Sequence, residues 1–95
     1  MQLARPRFEK YLFVCENQRE SGDCCMPEGG RIRQALKRAV EQQGLAGRIR
    51  VSRAGCLDLC AEGPNVLLMP DNRWFSGVKT EDVEQILREA RKGFL

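Results

Sequence analysis

The chain has no histidine among its 95 residues, and that absence removes every chemistry that needs imidazole as a general base, proton shuttle or metal ligand. Mixed Cys/His zinc sites go with it, as do Rieske centres, which need two His ligands, and Ser-His or Cys-His nucleophilic sites. Long apolar runs are missing as well. Nowhere does the sequence approach the roughly 20 apolar residues of a membrane span, and Met1-Gln2-Leu3-Ala4-Arg5-Pro6-Arg7 contains no apolar stretch of signal-peptide length. A soluble, cytoplasmic protein with no membrane partner is expected. Strong charge of one sign is the third absence: 16 basic and 13 acidic residues leave +3, spread along the chain. Nucleic-acid binders concentrate basic charge in a stripe, so no nucleic-acid partner is expected. Arg31, Arg33, Lys37 and Arg38 come nearest, and at helical spacing they read as the solvated face of an amphipathic helix.

What is there is sulfur. Five cysteines in a reducing compartment favour a metal site or redox work over a disulfide framework. The odd count suits a site of four with one left over. At 42% hydrophobic content and this length, residues 1–95 are expected to form a single domain around one core.

The order of elements follows from periodicity. Tyr11, Leu12, Phe13 and Val14 form a short apolar run typical of a buried strand, ended by Cys15. A polar loop follows, from Glu16 through Cys24-Cys25-Met26-Pro27-Glu28-Gly29-Gly30. Then Ile32, Ala35, Leu36, Ala39 and Val40 recur at helical spacing over about four turns. Gly44 followed by Leu45 suits a left-handed C-terminal cap. Ile49 and Val51 alternate with Arg48, Arg50 and Ser52, predicting a half-exposed strand within residues 45–53. A second loop, Ala54 to Pro64, carries Cys56 and Cys60. Asn65 to Met69 and Arg73 to Phe75 flank Pro70-Asp71-Asn72 and predict an antiparallel hairpin, in which Trp74 and Phe75 are expected in the core or at a subunit contact. Thr80 is expected to cap a final helix with Glu81 and Asp82 in its first turn and Val83, Ile86, Leu87 and Ala90 on its inner face. Pro64 is expected to follow a trans peptide bond, the default for X-Pro.

This order predicts an α/β fold: a mixed sheet of about four strands with two flanking helices. The first strand-helix-strand unit should be a right-handed parallel crossover. Each cysteine loop then starts at the end of one of two parallel strands, so the loops should converge at one end of the sheet.

The spacing of the cysteines bears on the metal. All-cysteine zinc sites mostly use tight pairs with two to four residues between ligands, whereas the first pair here is separated by eight or nine. A binuclear iron-sulfur cluster spreads its four sulfurs over two irons and tolerates wider spacing. No C-x-x-C pair exists for thioredoxin-type dithiol chemistry.

The segments Phe13-Val14-Cys15-Glu16-Asn17, Cys25-Met26-Pro27-Glu28-Gly29-Gly30, Gly55-Cys56-Leu57-Asp58-Leu59-Cys60-Ala61-Glu62-Gly63-Pro64 and Pro70-Asp71-Asn72-Arg73-Trp74-Phe75 resemble the thioredoxin-like 2Fe-2S ferredoxins, over nearly the whole chain. The resemblance implies a thioredoxin-like fold, a 2Fe-2S cluster on Cys15, Cys25, Cys56 and Cys60, with Cys24 the alternative to Cys25, and a homodimer. It implies a one-electron carrier rather than an enzyme, exchanging electrons with redox partner proteins. Cys25 is favoured over Cys24 by its register with Gly29-Gly30, a pair expected to serve a backbone conformation that a side chain would resist. A structural zinc module and a thiol redox sensor are the alternative readings.

Overall fold

The computed structural model describes residues 1–16, 28–55 and 63–94. Among them the elements run β1 (Lys10–Cys15), α1 (Glu28–Gln42), β2 (Ile49–Ala54), β3 (Val66–Met69), β4 (Arg73–Phe75) and α2 (Val83–Arg91), with a 3-10 turn, Thr80–Asp82, leading into α2. The four strands form one sheet in the order β2-β1-β3-β4. β1 is central, parallel to β2 from Lys10↔Ile49 to Cys15↔Ala54 and antiparallel to β3 from Tyr11↔Met69 to Val14↔Val66.

Period-two alternation divides the sheet into an inner and an outer face. Leu12, Val14, Ile49, Val66 and Leu68 point inward and are buried in one core with Ile32, Leu36 and Val40 of α1 and Val83, Ile86, Leu87 and Ala90 of α2. Fully burying each of the larger side chains stabilises the fold by about 1.5–3 kcal/mol relative to exposure. Both helices therefore share one side of the sheet. Tyr11, Phe13, Leu67 and Met69 occupy the other side and are only half-buried.

The first helix ends as its sequence predicts. Gly44 adopts φ +71, the Leu45 N–H donates to the Val40 carbonyl at 2.9 Å and the Gly44 N–H to the Glu41 carbonyl at 3.1 Å. This is the paired bonding of a Schellman cap. Leu45, buried against the core, belongs to that cap, and β2 starts only at Ile49.

Three local expectations are corrected. α1 begins at Glu28, so Gly29 and Gly30 are helical rather than loop residues. Thr80 does not cap α2: it sits inside the 3-10 turn, whose N-cap is Lys79, while Asp82 stands at the N-cap of α2. There the Asp82 carboxylate reaches back to accept the Lys79 N–H at 2.8 Å. The Gly63–Pro64 peptide is cis, as is Met69–Pro70. Trp74 is 46% exposed and outside the core, whereas Phe75 packs against it.

The hairpin closes on Asn72, whose φ is +55, a left-handed conformation that Asn tolerates better than most residues. The Trp74 indole N–H donates to the Asn72 side-chain oxygen at 3.1 Å. Asp71 at the same turn receives the Lys10 ammonium at 2.6 Å, tying the hairpin to the start of β1.

Candidate metal centre

Cys15 ends the central strand and is fully buried. Its placement is a consequence of pairing on both sides. The Cys15 N–H donates to the Asn65 carbonyl at 3.1 Å, and the next N–H, that of Glu16, donates to the Ala54 carbonyl at 3.2 Å. Asn65, itself fully buried, precedes β3, and Ala54 ends β2. Cys15 is thus locked between both neighbouring strands at one end of the sheet.

The two cysteine-bearing segments are anchored at this same end. The first runs between Glu16 and Glu28, the second between Gly55 and Gly63. Glu16 contacts the end of β2 through Ala54, and the start of α1 lies against Cys15 and Glu16: a Cβ at Gly29 would overlap the Cys15 carbonyl oxygen, and one at Gly30 would stand 3.3 Å from the Glu16 carboxylate. Beyond the second segment, the Pro64 carbonyl accepts the Val78 N–H at 3.0 Å.

Gly29 corrects an expectation about mechanism as well as position. It has no left-handed backbone angle. What it supplies is clearance, since any side chain would push the first turn of α1 away from Cys15. A glycine inside a helix costs about 1 kcal/mol relative to alanine, and here close packing of helix on strand outweighs that cost.

Of the expected ligands, Cys15 is the one among the described residues; Cys24, Cys25, Cys56 and Cys60 lie outside them, as do Met26, Leu57 and Leu59. Among the described residues no group of three or more Cys, Asp or Glu is disposed to hold a metal ion. A centre with Cys15 among its donors would draw its other ligands from outside the described residues. A buried thiol on the strand, a glycine-cleared helix start above it and two cysteine-bearing segments rooted alongside fit an all-thiolate centre. With no imidazole in the chain, nitrogen ligation by histidine is excluded.

A charge pair was not foreseen from the sequence. Glu16, read as part of a polar loop, and Arg33, read as part of a solvated helix face, form an ion pair in which the Glu16 side chain is 5% exposed and that of Arg33 29%. The residues are 17 apart, too far for any helical or strand period to connect them.

Further from the site, Arg48 binds Glu9 with two bonds, at 2.6 and 3.0 Å, and lies 3.9 Å from the Phe94 ring centroid. The Arg48 hydrogen bond holds the Glu9 carboxyl below its ordinary value, and the same bond raises Arg48. No helix among the described residues is long and apolar enough to cross a membrane.

No model of a protein family matches the chain. Individual relatives do. The chain is 33% identical over 89 residues to a 2Fe-2S ferredoxin of Aquifex aeolicus, covering 88% of this chain and 80% of that one. It is 27% identical over 81 residues to a 2Fe-2S ferredoxin of Clostridium pasteurianum, covering 81% and 79% respectively. Among solved structures, the wild-type thioredoxin-like [2Fe-2S] ferredoxin from Aquifex aeolicus superposes with a TM-score of 0.78 at 32% identity, over 93% of this chain and 89% of that one. Fold, sequence and the anchoring of the cysteine segments agree, and the chain belongs to the thioredoxin-like 2Fe-2S ferredoxin family.

Proposed function

We propose that the protein is a one-electron carrier in which Cys15, Cys25, Cys56 and Cys60 hold a 2Fe-2S cluster, Cys24 being the alternative to Cys25. The observation that carries this reading is the lock on Cys15: the buried residue stands where β1, β2 and the start of α1 meet, beside the roots of both cysteine-bearing segments. When bound, the cluster supplies one-electron redox chemistry at low potential, as all-thiolate ligation favours.

The chain's own residues do the rest. Cys15 presents its sulfur from a strand end fixed by two backbone hydrogen bonds, so the thiolate needs little reorganisation as charge changes. Clearance at Gly29 brings the positive end of the α1 dipole close to Cys15, which favours a negatively charged centre. Exposed Arg31, Lys37 and Arg38 on α1 add positive potential that steers encounter with acidic faces of donor and acceptor proteins. An electron carrier of this kind makes no bonds on a substrate and is not an enzyme. A cytoplasmic location accords with cysteines kept as thiolate ligands.

The same reading includes a homodimer. It is supported by the outer face of the sheet, where the Tyr11 and Phe13 rings stack with centroids 6.1 Å apart, Leu67 pairs with exposed Trp74 across β3 and β4, and no described helix covers them, Phe8 packing edge-on against Tyr11 alone. Single domains seldom leave such a contiguous aromatic and aliphatic patch open to water.

Iron and acid-labile sulfide analysis of anaerobically purified protein tests the function. Two irons and two sulfides per chain, with brown colour, are expected. A colourless protein with one zinc per chain would identify a structural zinc module instead. Metal-free protein with one cysteine preferentially alkylated would identify a thiol sensor.

A further inference from the structure

Glu16 immediately follows the cysteine at the strand end, and its carboxylate is turned inward rather than to solvent. It is paired with Arg33 and lies over the first turn of α1, against Gly29 and Gly30. The pair joins the residue after Cys15 to the helix that follows the first cysteine-bearing segment. It differs in kind from the nearby Arg31–Glu28 pair, whose side chains are 69% and 56% exposed and are screened by water and salt. Charges as sheltered as Glu16 and Arg33 act on their surroundings at an effective dielectric far below that of water.

Resting on the electron-carrier reading above, we propose that Glu16 and Arg33 form a charge-neutral clamp that keeps either charge from shifting the reduction potential of the centre. Reduction transfers one electron from a donor protein to the centre, adding one negative charge with no bond made or broken and no proton required. A cation held beside Cys15 favours the reduced state and an anion disfavours it. Arg33 and Glu16 cancel, so the paired chain keeps a lower potential than Arg33 alone would give and a higher one than Glu16 alone. Neither residue is a ligand; both are positioning residues that act through the field at Cys15 and through the contact of Glu16 with α1.

The test is potentiometric titration of purified, cluster-loaded wild type, Glu16→Gln, Arg33→Gln and the double variant at low ionic strength, followed by visible absorption and electron paramagnetic resonance. Glu16→Gln should raise electron affinity about tenfold, or about 59 mV for a one-electron couple, and Arg33→Gln should lower it by a similar factor. The double variant should return close to wild type, and the resonance spectrum should show unchanged ligation throughout. Single variants that both shift the potential the same way, or do not shift it, would overturn the clamp. If Glu16→Gln fails to fold, Arg33→Lys against Arg33→Gln decides: the lysine form should keep the wild-type potential and the glutamine form should not, and equal potentials would overturn the proposal. Wild-type iron and sulfide content separates the two layers. Absence of a two-iron cluster removes both readings, whereas a normal cluster with unshifted potentials removes the clamp alone.

Discussion

Cys15 stands directly opposite Ala54 in the parallel pairing of β1 with β2, and Cys56 follows Ala54 by two residues in the sequence. That register sets Cys15 level with the last residue of β2, from which the second cysteine-bearing segment departs. A shift of that register by one residue would turn Cys15 to the other face. The core residues Leu12, Val14 and Ile49, buried on the inner face, are what prevent the shift.

Substitution of the adjacent cysteines separates the ligand from its neighbour. Cys25→Ser should lose most of the iron and sulfide of the purified protein, and Cys24→Ser should retain it with an unchanged visible spectrum. The reverse pattern would assign the ligand to Cys24. Cys15→Ser should alter both spectrum and potential, and an unchanged spectrum and potential would remove Cys15 from the ligand set.

Gly29 and Gly30 are adjacent in one helix but should respond differently to alanine. Gly29→Ala forces a methyl group into the Cys15 carbonyl and should cost about 1–3 kcal/mol in denaturant unfolding, as overpacking does. Gly30→Ala places its methyl 3.3 Å from the end of the Glu16 side chain, which can give way, so helix propensity should leave it neutral or slightly stabilising. Equal losses in the two variants would contradict the clearance argument.

Acid sensitivity should have a surface component. The Arg48 hydrogen bond holds the Glu9 carboxyl below its ordinary 4.5, and hydrogen bonding to Lys92, with the charge of Arg73, does the same for Glu89. For a carboxylate lowered by folding, the stabilisation is present above the unfolded value and lost as pH falls through the folded value. Wild type should therefore lose stability below about pH 4.5 more steeply than Glu9→Gln or Glu89→Gln, and 1 M salt should narrow the difference. Parallel acid limbs in wild type and variants would refute it.

Trp74 offers a test of self-association that leaves the core alone. Trp74→Glu places a charge on an exposed position of the outer sheet face and should shift sedimentation from dimer to monomer with little change in thermal stability. A wild type that sediments as a monomer at working concentration would remove the dimer.

The fold was legible where one local pattern decides the structure. Helical spacing of Ile32, Leu36 and Val40, the glycine at position 44 and the turn at Pro70-Asp71-Asn72 each carry their own physical reason, and each recurs in the structure. Less legible were features that depend on neighbours distant in sequence. Nothing local distinguishes Gly29 as a clearance residue from a loop glycine, because the atom it clears belongs to Cys15. Nothing local assigns Arg33 inward, since its partner lies on the far side of the first cysteine-bearing segment. Thr80 has the chemistry of a cap, yet Asp82 reaching back to Lys79 occupies that role first. At the site, the cysteine pattern and the family resemblance propose the ligand set, while β-strand register accounts for how Cys15 is held.

The central position of β1 also bears on biosynthesis. Cys15 is made before α1, whereas its flanking strands, with the Ala54 and Asn65 carbonyls that hold this end of β1, are made only after α1. The parallel β1–β2 pairing is non-local and slow to close compared with the β3–β4 hairpin. Metal assembly at this end of the sheet therefore belongs after β3 has been synthesised, and a ribosome-bound fragment ending before β3 would leave Cys15 without one of the strands that shelter it.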